Sequence, residues 1–241
     1  MRVPSAAELI RVWELGQSRK SWYRALLLLA PVFPESAFRA LGEMTLGARN
    51  AYLLALRERL FGNTIDATVR CPSCSERIQF SASVDTFLSQ LPDGRPSAYD
   101  STFSVRSGGA DVAYRLLCSY DLAAVSRFGD ASYAEDALMS RAIVGAPEGL
   151  RMTPATIGAV ADAIVTADPL TDIRLGFECA ACRHEWSSSF DIASFLWTEV
   201  DAEVRRLFDD VHRLGAAYGW SEAAILTMSA QRRREYLTRA S

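Results

Sequence analysis

Two short stretches constrain this chain more than any others: Cys71-Pro72-Ser73-Cys74 and Cys179-Ala180-Ala181-Cys182. Each presents two thiolates at metal-knuckle spacing, yet a lone copy is ambiguous between a redox pair, half of a metal site and chance. The surroundings decide, because they repeat. Ile65, Ala67 and Val69 precede the first knuckle at six, four and two residues, and Ile173, Leu175 and Phe177 precede the second at the same offsets. That alternation is the period of a half-buried strand. Ile78, Phe80 and Ala82 follow one knuckle, and Trp186, Ser188 and Phe190 follow the other, so each knuckle sits at the turn of a hairpin. Val84-Asp85-Thr86-Phe87-Leu88 and Ile192-Ala193-Ser194-Phe195-Leu196 then both read as helix starts. The repeating unit is strand, knuckle, strand, helix.

Four thiolates hold zinc tetrahedrally at roughly 2.3 Å and leave no open coordination position. Cys71, Cys74, Cys179 and Cys182 are therefore expected to share one structural Zn2+ per chain, stabilising the fold instead of activating water. The 104 residues between Cys74 and Cys179 far exceed the span of a simple zinc ribbon, so an insertion must be hosted there. A thioredoxin-like redox pair is the weaker alternative, since neither motif follows a strand and opens a long helix in a βαβ pattern. Disulfides are opposed by the lack of a secretory leader ahead of an amphipathic start, which points to the cytoplasm. Cys118, in the apolar run Tyr114 to Cys118, reads as a buried free thiol, and His184 as an exposed knuckle residue.

The expected fold class is α+β: a mainly helical protein around a split ribbon, with a small α+β insertion. An N-terminal helical region spans 1–62, the split ribbon 63–90 and 170–196, the insertion 91–169, and a C-terminal helical region 197–241. Within the first region, Ser5 caps a helix to about Gly16, Ser18 or Ser21 opens a second that Pro31 breaks, and a short helix lies near Ser36 to Leu41. Leu46 to Phe61 carries an apolar stripe of Tyr52, Leu53, Leu56 and Leu60, with arginines and Glu58 opposite, and ends at Gly62-Asn63. The insertion opens with a loop at Pro92-Asp93-Gly94 and Pro96, continues as a hairpin (Thr102 to Val105 and Ala113 to Leu117), and holds helices at 121–128, 131–144 and 154–167. From Phe195 a long helix runs to about Tyr218 with Val204, Leu207, Phe208 and Val211 as core. Two short helices led by Ser221 and Ser229 follow, the last with Arg232, Arg233 and Arg234 on a solvated face.

Net charge is −3, and residues 75 to 178 hold 8 arginines against 14 acids. The longest apolar run, Ala25 to Phe33, is too short to cross a bilayer. No phosphate loop, nucleophile elbow or His-Glu pair on one helix indicates an enzyme or a small-molecule substrate.

Trp13-Glu14-Leu15-Gly16, the segment Leu46-Gly47-Ala48-Arg49-Asn50 to Gly62, the two knuckles, Phe190-Asp191-Ile192-Ala193-Ser194-Phe195-Leu196-Trp197 and the ending Tyr218-Gly219-Trp220-Ser221-Glu222 to Arg232-Arg233-Arg234-Glu235-Tyr236-Leu237 form a set. The set resembles baseplate-associated proteins of contractile phage tails and of phage-tail-like contractile injection systems of bacteria. The resemblance covers nearly the whole chain and is weakest in the insertion, where only Tyr120-Asp121-Leu122 contributes. It implies a non-enzymatic structural or assembly component, made in a bacterial cytoplasm, whose partners are other baseplate and tail proteins. The alternative is a zinc-ribbon nucleic-acid binder of the transcription type. Composition opposes that alternative, because Arg70, Arg77 and Arg183 at the knuckle tips are offset by Glu76, Glu178 and Glu185.

Overall fold

The computed structural model describes residues 1–91, 101–128, 131–147 and 153–240. The loop expected at Pro92 to Pro96 lies outside the described residues. The chain divides into two compact units, one formed by Met1–Ser36 with the chain from Ala193 onward, the other by Ala37–Ile192. Among the described residues no helix is long and apolar enough to cross a membrane.

In the first unit, helix α1 (Ala6–Gly16) starts with a full capping box. Ser5 accepts from the Glu8 backbone N–H, and the Glu8 carboxylate reaches back to the Ser5 N–H. Helix α2 (Ser21–Leu29) begins after Lys20 without a side-chain cap. Arg24 on α2 donates to the carbonyls of Gly16 (2.9 Å) and Gln17 (2.7 Å), closing the exposed end of α1, and its guanidinium lies 4.5 Å from the Trp197 ring. That ring, on helix α9 (Ile192–Tyr218), packs so closely on Gly16 that a Cβ there would collide with it. Trp13 donates to Asp201 at 2.6 Å. The long helix buries Leu196, Val200, Val204 and Leu207 as its spacing requires. Phe208 departs from the expected core set: it is 37% exposed on the rim of the stripe, with Trp13 against its edge at 5.7 Å. Short helices α10 (Glu222–Leu226) and α11 (Ala230–Leu237) follow, capped by Ser221 and Ser229. They close a small core of Leu214, Ile225 and Leu237.

The arginine triplet is not uniformly solvated. Arg232 and Arg234 are exposed, but Arg233 is buried, because it donates to the Met228 carbonyl (2.9 Å) and pairs with Asp210 (3.4 Å). A guanidinium with both an acceptor and a counter-ion can be taken out of water.

The second unit starts with α3 (Phe38–Glu43) and α4 (Leu46–Phe61). Strands β1 (Thr64–Arg70) and β2 (Arg77–Ser83) pair antiparallel around the first knuckle and lead into α5 (Val84–Leu88). The insertion forms a three-stranded sheet of β3 (Thr102–Ser107), β4 (Ala110–Arg115) and β5 (Ile143–Gly145), with β4 central. Its helices are α6 (Ser119–Val125), α7 (Ala131–Ala142) and α8 (Pro154–Ala167). The helix expected over 131–144 stops at Ala142, and the β-branched pair Ile143-Val144 is drawn instead onto the free edge of β4. A core of Leu46, Val112, Tyr114, Leu116, Met139, Val160 and Ile164 fills this part. A 3-10 turn (Pro169–Thr171) returns the chain to β6 (Arg174–Glu178) and β7 (Glu185–Ser189), the second knuckle hairpin.

Of the arginines placed opposite the stripe of α4, Arg59 is exposed but two are buried. Arg49 and Arg57 are 5% and 4% exposed. Arg57 donates to the carbonyls of Gly62 (2.7 Å) and Thr64 (2.6 Å), so it fastens the turn into β1. Arg49 donates to Asn50 and to the Ser119 hydroxyl (3.3 Å), and burial lowers its pKa to about 10 despite the nearby Asp191 charge.

Candidate metal centre

Residues separated by a shift of 108 positions do the same work in the two hairpins. Ile65 and Ile173 are buried, as are Val84 and Ile192, which fixes the root of each hairpin in apolar surroundings. Farther out, Phe80 meets Phe177 edge-on at 5.1 Å, and Phe177 stacks on Trp186 at 5.3 Å. At the tips the Cys71 N–H donates to the Glu76 carbonyl and the Cys179 N–H to the His184 carbonyl, both at 2.9 Å. The Ser75 N–H returns to Cys71 O (2.9 Å) and the Arg183 N–H to Cys179 O (2.8 Å). Both Ser75 and Arg183 take left-handed backbone, with φ of 63° and 59°. That conformation costs a non-glycine residue on the order of 1–2 kcal/mol, and neither residue type announces it in the sequence.

These turns bring together the four cysteines that the spacing singled out. Their sulfurs all lie within 4.8 Å of one another, with Cys71 and Cys182 at 3.7 Å and Cys74 and Cys179 at 3.6 Å. No two are bonded. A tetrahedron with metal–sulfur bonds of about 2.3 Å has edges of about 3.8 Å, so the donor set and its spacing fit a four-thiolate metal site of the kind zinc takes. Cys71 is 1% and Cys179 0% exposed, whereas Cys74 and Cys182 face solvent.

Electrostatics agree with a cation. Burial opposes ionisation of Cys71, but the backbone N–H groups of Cys74 and Ser73 and the neighbouring thiols outweigh it and hold its pKa down to about 7. Cys74 receives the Glu76 N–H, which favours its thiolate, yet the surrounding sulfurs, Cys182 foremost, push it up to about 12. Sulfurs this close oppose one another's ionisation, which is the condition a divalent cation relieves. His184 is exposed and stacks on Trp186 at 5.9 Å, outside the sulfur group. Cys118 is buried far along the chain, at the entry to α6, where its backbone N–H donates to Asp121 (3.0 Å). The tip charges are mixed, and Arg183 pairs with Glu178 at 2.9 Å.

Two buried polar sets escape sequence reasoning, one beside the roots of the hairpins and one in the insertion. Asp168 is fully buried and accepts from the Gly47 N–H (2.9 Å) at the start of α4 and from the Thr171 hydroxyl (2.8 Å). Asn50 donates to the Leu170 carbonyl at 2.8 Å. Because α4 leads into β1 and the 3-10 turn leads into β6, this lock sets the two hairpins side by side. A Cβ at Gly47 would strike the Asp168 carboxylate, so glycine is required by close approach. In the insertion, Asp121 accepts two hydrogen bonds from Arg115 (2.7 and 2.8 Å), one from Arg141 (2.8 Å) and one from Cys118. Burial alone would raise its pKa, but these donors hold it below the usual carboxylate value. The acidic residue within Tyr120-Asp121-Leu122 was the available signal. No family model matches the chain, and neither a curated protein nor a solved structure shows significant similarity to it.

Proposed function

We propose that the chain is a non-enzymatic structural or assembly component of a contractile tail or injection-system baseplate, stabilised by one zinc ion in the four-cysteine centre. The observation that carries the structural part is the convergence of four sulfurs within 4.8 Å from two hairpins 104 residues apart. With four protein donors the metal has no position left for substrate or water, so Cys71, Cys74, Cys179 and Cys182 act as a clamp. Zinc held there neutralises thiolates that repel one another and ties β1-β2 to β6-β7. The baseplate part is supported by the motif resemblance. Its quoted residues do identifiable packing work: Trp13, Gly16 and Trp197 lock α1 to α9, and Gly47 and Asn50 lock α4 to the 3-10 turn.

The test is co-expression of tagged chain with the sheath, tube and baseplate proteins encoded beside it, followed by metal analysis of what is captured. Recovery of a baseplate protein with a zinc-loaded chain supports the reading. A gene neighbourhood without tail components, or capture of nucleic acid alone with a steep salt dependence, contradicts it.

A further inference from the structure

Each knuckle contributes one buried and one exposed cysteine, Cys71 with Cys74 and Cys179 with Cys182. Two close sulfur pairs cross from one knuckle to the other. Exposed Cys182 lies 3.7 Å from buried Cys71, and exposed Cys74 lies 3.6 Å from buried Cys179. Each exposed cysteine therefore has the sulfur of the other hairpin's buried cysteine as a close neighbour. Resting on the metal reading above, we propose that the centre reacts with peroxide at Cys74 and Cys182. Oxidation then exchanges the metal for two disulfides, Cys71–Cys182 and Cys74–Cys179, that still join the hairpins.

The chemistry balances with hydrogen peroxide as the oxidant. The Cys182 thiolate attacks one peroxide oxygen, the O–O bond breaks, hydroxide leaves, and the sulfur becomes a sulfenic acid. The Cys71 thiolate then attacks that sulfur, the S–S bond forms, the S–O bond breaks and a second hydroxide leaves. Cys74 and Cys179 repeat the sequence. For each disulfide, two thiolates are oxidised and one peroxide is reduced to two hydroxide ions, and the zinc departs once its thiolates are consumed. Exposure of Cys74 and Cys182 presents them to peroxide first, and the buried cysteine across the hairpins, 3.6–3.7 Å away, is in position to resolve each. A bond inside one knuckle would release the hairpins from each other, whereas the crossed pairing leaves them tied after the metal has gone.

Trypsin cuts after Arg70, Arg77, Arg174 and Arg183, so each knuckle leaves as a single peptide, Cys71–Arg77 or Leu175–Arg183. Full-length Cys118→Ser protein, assayed for zinc as purified, is treated with two equivalents of hydrogen peroxide beside a chromogenic chelator. It is then alkylated, digested and read by mass spectrometry with fragmentation inside the peptides. The expected result is release of one zinc per chain, with the two peptides recovered as one species joined at Cys71–Cys182 and Cys74–Cys179. Peroxide-treated chain should also keep its melting temperature in excess chelator, where untreated chain loses it. Zinc-loaded protein that yields two separate peptides with internal disulfides overturns the crossed pairing alone. Zinc retained under excess peroxide, or sulfinic and sulfonic acids without disulfides, overturns the exchange. A chain that purifies without zinc overturns the metal reading itself, whatever the peptide map.

Discussion

The pair of hairpins is held at both ends, and the two ends use different chemistry. At the roots, Ile65, Val84, Ile173 and Ile192 are buried, and the Asp168, Gly47, Asn50 and Leu170 lock fastens the segments that feed the strands. At the tips, Pro72 to Arg77 and Ala180 to Glu185 are exposed, and Cys71 and Cys179 are buried between them. The difference is one of available apolar area. Near α4 the strands have a body to pack against, so burial and hydrogen bonds suffice; a two-stranded tip has none, and what it offers instead is four converging sulfurs that can hold a metal ion.

The largest effect should come from breaking the tip. Apparent zinc affinity in small four-ligand sites corresponds to about 10–16 kcal/mol, comparable with the whole stability of a domain at about 5–15 kcal/mol. Cys179→Ser should therefore lose the metal and abolish cooperative unfolding of Ala37–Ile192, read by calorimetry and elemental analysis. Cys118→Ser, outside the centre, should change stability by less than about 1 kcal/mol. If Cys179→Ser melted as the parent does and kept its zinc, the shared site would be wrong.

Next in size is the Asp121 hub, which belongs to neither end. Asp121→Ala should cost about 3 kcal/mol, the low end for a broken buried pair because Arg115 and Arg141 reach solvent. Its folded pKa lies below the unfolded value of roughly 3.9. The stabilisation is thus fully present above that pH and is lost as pH falls through the folded pKa. Urea titrations at neutral pH and near pH 3 should show the variant's deficit shrinking in acid; an equal deficit at both would remove the ionised carboxylate from the account.

At the roots, Gly47→Ala drives a methyl group into the Asp168 carboxylate and should cost about 1–3 kcal/mol. Zinc content should be unchanged, since the cysteines are untouched. Loss of both stability and metal would mean that the root lock and the tip fold as one unit.

Legibility tracks the same contrast. The tips could be read because their chemistry lives in residue type and spacing: four cysteines and alternating apolar strands, repeated 108 positions apart. Long periodic helices such as α4 and α9 could be read for a similar reason. The roots could not, because Asp168, Asn50 and Gly47 are ordinary residues until the fold brings them together over separations of 121 and 120 positions. Arg233 is buried where the sequence predicts a solvated face, and Arg49 and Arg57 are buried too, because polarity alone does not disclose a waiting carbonyl, hydroxyl or carboxylate. Strand β5 escaped notice because three residues carry no period.

The smallest predicted effect sharpens the description of the tips. Ser75→Gly and Arg183→Gly relieve left-handed backbone in both knuckles, and each should leave stability unchanged or raise it by up to about 1 kcal/mol. A loss of that size would show that the Arg183 pair with Glu178, or the Ser75 side chain, contributes more than the strain costs.

The most direct measurement of the central claim is zinc content per chain by elemental analysis, taken alongside thermal unfolding before and after removal of metal by a chelator under reducing conditions. The account predicts one zinc per chain and a large fall in the melting temperature of the stripped protein, restored by added Zn2+. No bound metal, or melting indifferent to its removal, would contradict it.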